Sequence, residues 1–355
     1  PSNSMTNWFA KYRFSPIGVD IGSRSVKLMQ FDREGCRVRE AARWDLPAGR
    51  PTDVEERDAQ VVQAIQRARE GRNFRGREAV FCLRAGDLFV QNLRVPKAEG
   101  AELARLVHGE AAGRMPFPGE EAELRFLEAA DVRHGDAVRR EVIVMACHRP
   151  AVTRILAIAG QLGLAPTAID IEPSALLRCY GRQFRRADDH ERRIVLVNVG
   201  GSSTVVLIAQ GQTPMSVKCL DVGGRHLDEA VARNLRMPLA DATALRRHNG
   251  DRRADQRDEE ITRGINESIR PVLERLVNEL GMCVRYHSVT FRGQSISKVI
   301  LGGGEACETV AEWIAERLDL PCELGEPLRD IEAPRLGGRS SQWDIAAGLA
   351  LRSPT

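Results

Sequence analysis

The sequence predicts an α/β fold built from two similar halves, and three stretches of the chain support this prediction. In residues 17–28 (IGVDIGSRSVKL) an apolar run carrying one Asp breaks at Gly-Ser and then resumes with alternating apolar residues. Residues 195–207 (VLVNVGGSSTVVL) repeat that design, and residues 299–305 (VILGGGE) combine an apolar strand with three glycines. Because a domain-sized repeat indicates a duplicated unit, we expect two related α/β halves around one cleft.

The first stretch predicts two strands joined by a tight turn. The turn contains Gly22, which permits close approach of the backbone, followed by Ser23, Ser25 and Lys27. Backbone N–H groups of such a turn can hold the phosphates of a nucleotide, and Asp20 at the strand end can reach a hydrated Mg²⁺. A plain hairpin without a ligand is the alternative interpretation.

The second stretch strengthens the nucleotide interpretation because it keeps the positions of the first. Asn198 stands where Asp20 stands and Gly200 where Gly22 stands, at the same offset of 178 residues (198 − 20 and 200 − 22). Two halves that each begin with a phosphate-binding hairpin predict a nucleotide held between them.

The third stretch predicts contacts with the rest of that nucleotide. Gly302, Gly303 and Gly304 would let a flat base or ribose lie against the backbone. The helix that follows Glu305 would favour phosphates at its N-terminus. The alternative is a flexible turn between a strand and a helix.

Composition indicates an ordinary globular chain. It has 355 residues, of which 43% are hydrophobic and 28% charged, enough for two domains. A net charge of +3 and an aromatic content of 5% do not favour a nucleic-acid-binding protein. Because no run of 18 apolar residues and no signal peptide is visible, we expect a cytoplasmic location.

The eight cysteines include no C-x-x-C pair, so neither a zinc site nor a disulfide framework is expected. We interpret them as reduced core residues. Residues 1–4 are interpreted as a tag remnant. Residues 5–16, with four aromatic side chains, are either a disordered lead-in or a short amphipathic arm.

The first half is expected to have the element order of a ribonuclease-H-like domain. Three strands are predicted within residues 17–44, and residues 78–83 predict a further strand. Residues 53–70 between them predict a helix, because Val61, Val62 and Ile65 fall on one side of it.

Residues 84–168 depart from this layout and predict a small inserted α+β subdomain. The expected order is a strand (88–95), a helix (98–114) ended by Met-Pro-Phe-Pro, two strands (122–132 and 139–147) with a polar turn at 134–136, a helix (149–162) and a strand (165–170). A four-stranded sheet of this kind is a candidate docking surface.

The second half is expected to repeat the first after a connecting helix at residues 169–180 and a charged loop at 185–193. Its predicted elements are strands at 193–209, 214–222 and 298–301, and helices at 223–235, 238–248, 258–291, 306–318 and 340–351.

The expected domains are a lead-in (1–16), the first part of domain 1 (17–83), the insertion (84–168), the completion of domain 1 with the connector (169–192), domain 2 (193–340) and a closing helix returning to domain 1 (341–355).

Nucleotide hydrolysis would need a group that orients water, together with a metal ion. The candidates are Asp170 and Glu172, at a strand end and a helix start that face the predicted cleft. The alternative is that they act as a helix N-cap and a first-turn acid. P-loop, Rossmann, HExxH and GxSxG motifs do not occur in the sequence.

These motifs, in this order, resemble the actin-like ATPase superfamily. Residues 20–23 resemble its first phosphate motif, and the matching second phosphate, adenosine and first connecting motifs are residues 198–204, 302–305 and 171–175. Within the superfamily the chain resembles the PilM family of type IV pilus assembly, at residues 19–27, 115–118, 168–176, 221–227 and 348–352. The insertion stands where that family and the division protein FtsA carry a subdomain called 1C.

The resemblance implies ATP and Mg²⁺ in the cleft. Asp20 would hold the metal ion through water, with Asn198 as a weak second contact. The residues expected to bind the nucleotide are Asp20, Gly22, Ser23, Arg24, Ser25, Lys27, Gly200, Gly201, Ser202, Ser203, Thr204, Gly223, Gly224, Gly302, Gly303, Gly304 and Glu305.

The resemblance also implies a protein partner, the cytoplasmic N-terminal tail of a PilN-like inner-membrane protein, in a groove beside 1C. The chain would then lie at the inner membrane, peripherally, within a pilus or secretion complex. Its oligomeric state is left open.

One residue departs from the family pattern. The second phosphate motif usually begins with Asp, and here it begins with Asn198. Loss of that carboxylate weakens a second anchor for hydrated Mg²⁺, which affects hydrolysis more than binding. We therefore expect a nucleotide-responsive scaffold that is at most a weak ATPase, with slow or absent turnover.

Three alternatives remain open at this point. A filament-forming protein of the FtsA kind would end in an amphipathic helix, which residues 352–355 do not provide. A cytoplasmic module of type II secretion has a related design. A sugar kinase would need a catalytic Asp, for which Asp170 is available, and a substrate motif, which is not visible.

Overall fold

The computed structural model describes residues 14–47, 49, 51–134, 137–184, 191–251, 256–291 and 294–353. The predictions for residues 1–13, for the turn at 135–136 and for the loop at 185–190 lie outside these residues. Two five-stranded sheets of the same design and one three-stranded sheet make up the β-structure of the described part.

The first sheet has the order β3-β2-β1-β4-β8. Its central strand β1 pairs antiparallel with β2 and parallel with β4. All five residues of β1 are buried, as expected for a strand covered on both faces. The strands are β1 (Ile17–Ile21), β2 (Ser25–Phe31), β3 (Val38–Asp45), β4 (Glu78–Leu83) and β8 (Ala165–Ile171).

The second sheet repeats the first, with the order β11-β10-β9-β12-β13. Its central strand β9 again pairs antiparallel with the next strand and parallel with a later one. The strands are β9 (Arg193–Val199), β10 (Thr204–Gln210), β11 (Thr213–Leu220), β12 (Ile296–Gly302) and β13 (Cys322–Leu324). The duplicated α/β fold is therefore confirmed.

The third sheet lies between β4 and β8 in the chain and has the order β5-β7-β6, all antiparallel. Its strands are β5 (Leu88–Pro96), β6 (Ala122–His134) and β7 (Ala137–His148). The prediction of a fourth strand in this sheet is wrong. The strand β8 pairs in parallel with β4 instead, because the backbone groups along that edge of β4 need partners.

The described residues contain nine α-helices, at close to the predicted positions. Asp53 caps the first of them, since its Oδ1 accepts a hydrogen bond from the Glu56 N–H at 2.8 Å. The helices are α1 (Val54–Arg69), α2 (Gly100–Ala112), α3 (Arg149–Gln161), α4 (Glu172–Gly181), α5 (Gly224–Leu235), α6 (Leu239–Asp251), α7 (Glu259–Thr290), α8 (Glu308–Leu318) and α9 (Asp344–Ala350).

The closing helix α9 packs against β1 and α4 in the first half. Two glycines permit this close approach. A Cβ on Gly18 would lie 2.6 Å from Ala350 N, and a Cβ on Gly348 would lie 2.5 Å from the carbonyl carbon of Ala175. The glycine of the Gly-Leu-Ala-Leu-Arg motif therefore serves helix packing.

The cysteines are only partly the core residues that the sequence predicts. All eight are free, but only Cys82, Cys147 and Cys179 are buried, and Cys36 is exposed. Among the described helices, none has both the length and the apolar character needed to cross a membrane.

Candidate functional site

Both glycine–serine turns line one cleft, which has a volume of about 870 Å³. The β1–β2 turn and the β9–β10 turn are closed by the same backbone hydrogen bond. Gly22 N donates to Ser25 O at 3.0 Å, and Gly200 N donates to Ser203 O at 2.9 Å. The two turns also touch, since a Cβ on Gly201 would lie 3.0 Å from Arg24 Cγ. The sequence repeat therefore extends to turn geometry and to a shared space.

An ion pair lies in the cleft beside the first turn. Asp20 on β1 faces Lys27 on β2, and Lys27 Nζ donates to Asp20 Oδ2 at 2.5 Å. Both residues line the cleft. A carboxylate and an ammonium group are thus available together, one suited to a hydrated cation and the other to phosphate oxygens.

Glu172, the first residue of α4, also lines the cleft. Its Oε1 accepts a hydrogen bond from the Ala85 N–H at 3.3 Å. Burial, and then the charge of Asp20, raise the pKa of Glu172 to about 8. At neutral pH this side chain is therefore an uncharged acid that can donate a hydrogen bond but takes no proton from water.

Asn198, the residue that departs from the repeat, is held by Asp344 at the start of α9. Asn198 Nδ2 donates to both carboxylate oxygens of Asp344, at 3.0 and 2.9 Å. Asp344 is only 1% exposed, and burial raises its pKa to about 6 while the Asn198 hydrogen bond acts in the opposite direction.

An ion cluster connects the first turn with the second half. The Arg24 guanidinium pairs with Asp228 on α5 and, at 3.1 Å, with Glu305. Arg246 on α6 pairs with the same two carboxylates at 2.6 and 2.8 Å, and Arg247 lies 3.6 Å from Glu305. Burial raises the pKa of Glu305, but the three arginines outweigh it and leave that pKa below its ordinary value.

Most of the sequence-predicted residues meet in the cleft, but five do not line it. Asp170 is turned to other partners, because Arg178 Nη2 and Arg352 Nη1 donate to its Oδ2 at 2.6 and 2.8 Å. The Thr204 hydroxyl donates to Val222 O at 2.7 Å. The remaining three are tightly packed glycines: Gly223, Gly224 and Gly302.

Many residues of the site were not predicted from the sequence, and those that the ion cluster and the second turn depend on are Asp228, Arg246, Arg247 and Asp344. Asp228 and the arginines lie on helices α5 and α6, which the sequence predicts as helices without indicating a role in the site. The Asn at position 198, where the family motif usually has Asp, indicated that another residue could supply the missing carboxylate. It did not indicate which residue. Asp344 follows Asn198 by 146 residues.

The residues present fit a nucleotide with its cation. The Ser23 Oγ is buried and has no hydrogen-bond partner among the described residues, so it is available to a ligand. Gly304 has open space where a Cβ would point. No group of three or more His, Cys, Asp or Glu side chains in the described part is arranged to hold a metal ion.

A second pocket, the apolar groove, has a volume of about 320 Å³ and lies where three parts of the molecule meet. The inserted sheet, the helix α4 and the strands β10 and β11 all contribute to its walls. It is lined by Leu127, Met145, Pro173, Ser174, Leu177, Arg178, Gly181, Arg182, Leu207, Gln212, Pro214 and Val217.

Buried polar contacts tie the inserted sheet to the second half. Asn92 on β5 donates through Nδ2 to Met215 O on β11 at 3.3 Å. Glu141 on β7 is fully buried and accepts from Arg94 Nε at 2.9 Å and from the hydroxyl of Tyr286 on α7. The groove walls are therefore linked to the half that carries the second turn.

Comparison with known proteins agrees with this architecture. A family described as "Type IV pilus assembly protein PilM" matches residues 18–354. A solved "PilM-PilN type IV pilus biogenesis complex" is similar to the chain, with a TM-score of 0.78 at 24% identity, over 96% of this chain and 98% of that chain.

A second similar structure is the ethanolamine utilization protein EutJ from Carboxydothermus hydrogenoformans. Its TM-score is 0.55 at 15% identity, over 95% of this chain and 89% of that chain. The expected fold is confirmed: an actin-like ATPase fold in which two ribonuclease-H-like halves enclose a cleft and one half carries an α+β insertion.

Proposed function

Because the chain belongs to the type IV pilus assembly protein PilM family, we propose that it is an ATP-binding scaffold of a pilus or related inner-membrane assembly complex. The observation that carries the nucleotide part is the meeting of both glycine–serine turns in one cleft. A duplicated pair of anion-binding turns is suited to a polyphosphate that touches both halves.

Each part of the nucleotide has residues suited to it. The backbone N–H groups of Gly22–Ser25 and Gly200–Ser203, with Lys27, would hold the phosphates. Gly303 and Gly304 would lie against the ribose or base. Mg²⁺ would neutralise phosphate charge, held through water by Asp20 and more weakly by Asn198. Asp20, already paired with Lys27, would orient that water shell.

The same residues favour slow or absent hydrolysis. Glu172 lines the cleft and is one of the two residues predicted to position water. Its pKa of about 8 leaves it protonated at neutral pH. The second turn contributes an amide where the family motif usually has a carboxylate. Asp170, the other candidate, is held by two arginines and does not line the cleft. Neither of the two predicted water-positioning residues is thus available as a charged base in the cleft.

The partner tail is assigned to the apolar groove. The groove joins the insertion to both halves and combines an apolar floor with Arg178 and Arg182 at its walls. The two arginines already have partners, Asp170 for Arg178 and Gly35 O for Arg182, so a short peptide with apolar side chains suits this lining. The cytoplasmic tail of a PilN-like membrane protein would bind there, and would hold the scaffold at the membrane surface.

The helix α4 connects the two sites. Its first residue, Glu172, lines the nucleotide cleft, and the next residues, Pro173 and Ser174, line the groove. A nucleotide that changes the spacing of the halves would therefore move one groove wall, which is a population shift between groove shapes.

The test is tail binding with and without nucleotide. A fluorescent peptide of the membrane protein's tail is titrated with the wild-type protein, with Mg-ATP present or absent. We expect ATP to change the peptide Kd several-fold in the wild type and not in Asp20→Ala. The control is Glu70→Ala, which removes an exposed carboxylate paired with Arg67 outside the cleft and should behave as the wild type. If calorimetry shows no heat with Mg-ATP and melting shows no shift, the nucleotide part is wrong.

A further inference from the structure

We propose that Asp344 is a positioning residue for Asn198, fixing its amide so that the second turn presents an uncharged oxygen to the cleft. This inference rests on the proposed nucleotide function of the cleft. It explains the one departure from the repeated motif by a contact that the sequence does not reveal, since the two residues are 146 positions apart.

The hydrogen bonds fix which way the amide points. Both N–H···O contacts from Asn198 Nδ2 go to Asp344, one to each carboxylate oxygen. In the flipped orientation the amide oxygen would face the Asp344 carboxylate, and neither group could donate a hydrogen bond to the other. Oδ1 therefore points the other way, where it lies 4.0 Å from the position of a Cβ on Gly200. No donor within the described residues is hydrogen-bonded to Oδ1.

Asp344 is itself held in place from several sides. Its Oδ2 accepts from the Gly303 N–H at 3.1 Å and lies 3.4 Å from the Tyr180 hydroxyl, and its Oδ1 accepts from its neighbour Ile345 N–H at 2.8 Å. Gly302, which pairs with Asn198 in the sheet, carries no side chain there, and a Cβ would clash with this carboxylate. The predicted adenosine glycine is therefore required by Asp344.

This arrangement accounts for Asn at position 198. An aspartate there would set two carboxylates about 3 Å apart in a buried place, and such a pair cannot hold both charges. A carboxylate is thus present beside the end of β9, at the start of α9, and the Asn198 amide is hydrogen-bonded to it. Both residues line the cleft, but Asp344 is only 1% exposed. A hydrated cation would meet Asp20 from the first half and a neutral oxygen from the second.

The test is a reciprocal exchange. The variants are Asn198→Asp and the double variant Asn198→Asp with Asp344→Asn. The control is Asn234→Asp, the same chemical change outside the cleft. The Asn234 amide donates to Ser268 Oγ at 2.9 Å. The melting temperature of the nucleotide-free protein measures how strongly the two residues are coupled. The Kd for ATP, measured by calorimetry with Mg²⁺ and with EDTA, measures its effect on the cation.

In the nucleotide-free protein we expect Asn198→Asp to lower Tm by at least about 2–4 °C and the double variant to restore most of it. The double variant moves the carboxylate from position 344 to the second turn, so ATP should bind about three- to tenfold tighter than to the wild type when Mg²⁺ is present, and equally with EDTA. The control should change neither quantity.

Two outcomes would overturn the inference. An unchanged Tm in Asn198→Asp would show that the two residues are not coupled. The second outcome is a double variant whose Tm is restored but whose Kd for ATP depends on Mg²⁺ as in the wild type. This would show that the pair does not influence the cation. If the wild type binds no ATP, the proposed function and the positioning role fall together, while the Tm arm still decides whether the two residues are coupled.

Discussion

Replacement of Glu172 by Gln should change how protein stability depends on pH. The folded-state pKa of Glu172 is about 8, against an ordinary value of 4.5. Between these two values the unfolded chain loses the proton while the folded protein keeps it. Stability is therefore fully present below about pH 4.5 and falls as pH rises, until the slope vanishes above about pH 8.

The size of the effect follows from that interval. One proton contributes about 1.4 kcal/mol per pH unit, so the whole interval sets an upper bound of about 5 kcal/mol, and the step from pH 5 to pH 7 gives about 2–3 kcal/mol. Glutamine has nearly the same shape and no proton to lose. We therefore expect Glu172→Gln to gain about 2–3 kcal/mol relative to the wild type between pH 5 and pH 7.

Urea unfolding at pH 5, 6, 7 and 8, without nucleotide, measures this difference directly. The control is Glu267→Gln on an exposed position of α7, where the difference from the wild type should stay flat. A constant difference between Glu172→Gln and the wild type at all four pH values would refute the reasoning, because it would mean that Glu172 is charged in the folded protein.

Three further predictions concern packing, the ion cluster and the groove. Arg24→Ala should lower the free energy of unfolding by about 1–3 kcal/mol, since it removes the partner that the first turn gives to the buried Glu305; urea unfolding measures this. Gly348→Val should destabilise by more than about 3 kcal/mol or prevent folding, because its Cβ would overlap the carbonyl of Ala175; melting temperature and soluble yield measure this. Leu177→Asp should weaken tail binding at least about tenfold with ATP binding unchanged, and peptide titration measures this.

Each of these has a matched control in the chain. Arg37→Ala removes an ion pair whose side chains are 63% and 69% exposed, and should cost little. Gly109→Ala adds a Cβ in open space on α2 and should be neutral or stabilising. Leu239→Asp changes an exposed leucine on α6. Equal effects in a variant and its control would contradict the proposed cause.

The turns were predictable because their chemistry is local. Gly22 and Gly200 stand in the same place in two copies of one hairpin, and each N–H donates to the residue three positions on. Apolar alternation before and after each turn sets the strand pairing. Two glycine–serine turns and their equivalence can therefore be predicted from the sequence without knowing the fold.

The partners of those turns were not predictable, because they come from distant parts of the chain. Asp228 and Arg246 reach Arg24 only through the packing of α5 and α6. The wrong prediction that β8 belongs to the inserted sheet has the same cause. Its residues have a strand pattern, but a pattern does not say which sheet edge is open, and the parallel edge of β4 was available.

If the cleft binds ATP as proposed, we expect its charges to favour holding ATP over splitting it. Among the acids of the cleft, Asp20 is paired with Lys27, and Asp344 is hydrogen-bonded to the Asn198 amide. Glu172 is neutral at pH 7. Lower negative charge lessens repulsion of phosphates, and neither Glu172 nor Asp170 is available as a charged base to take a proton from water. In the proposed scaffold, a bound ATP would therefore persist long enough to set the shape of the groove through α4.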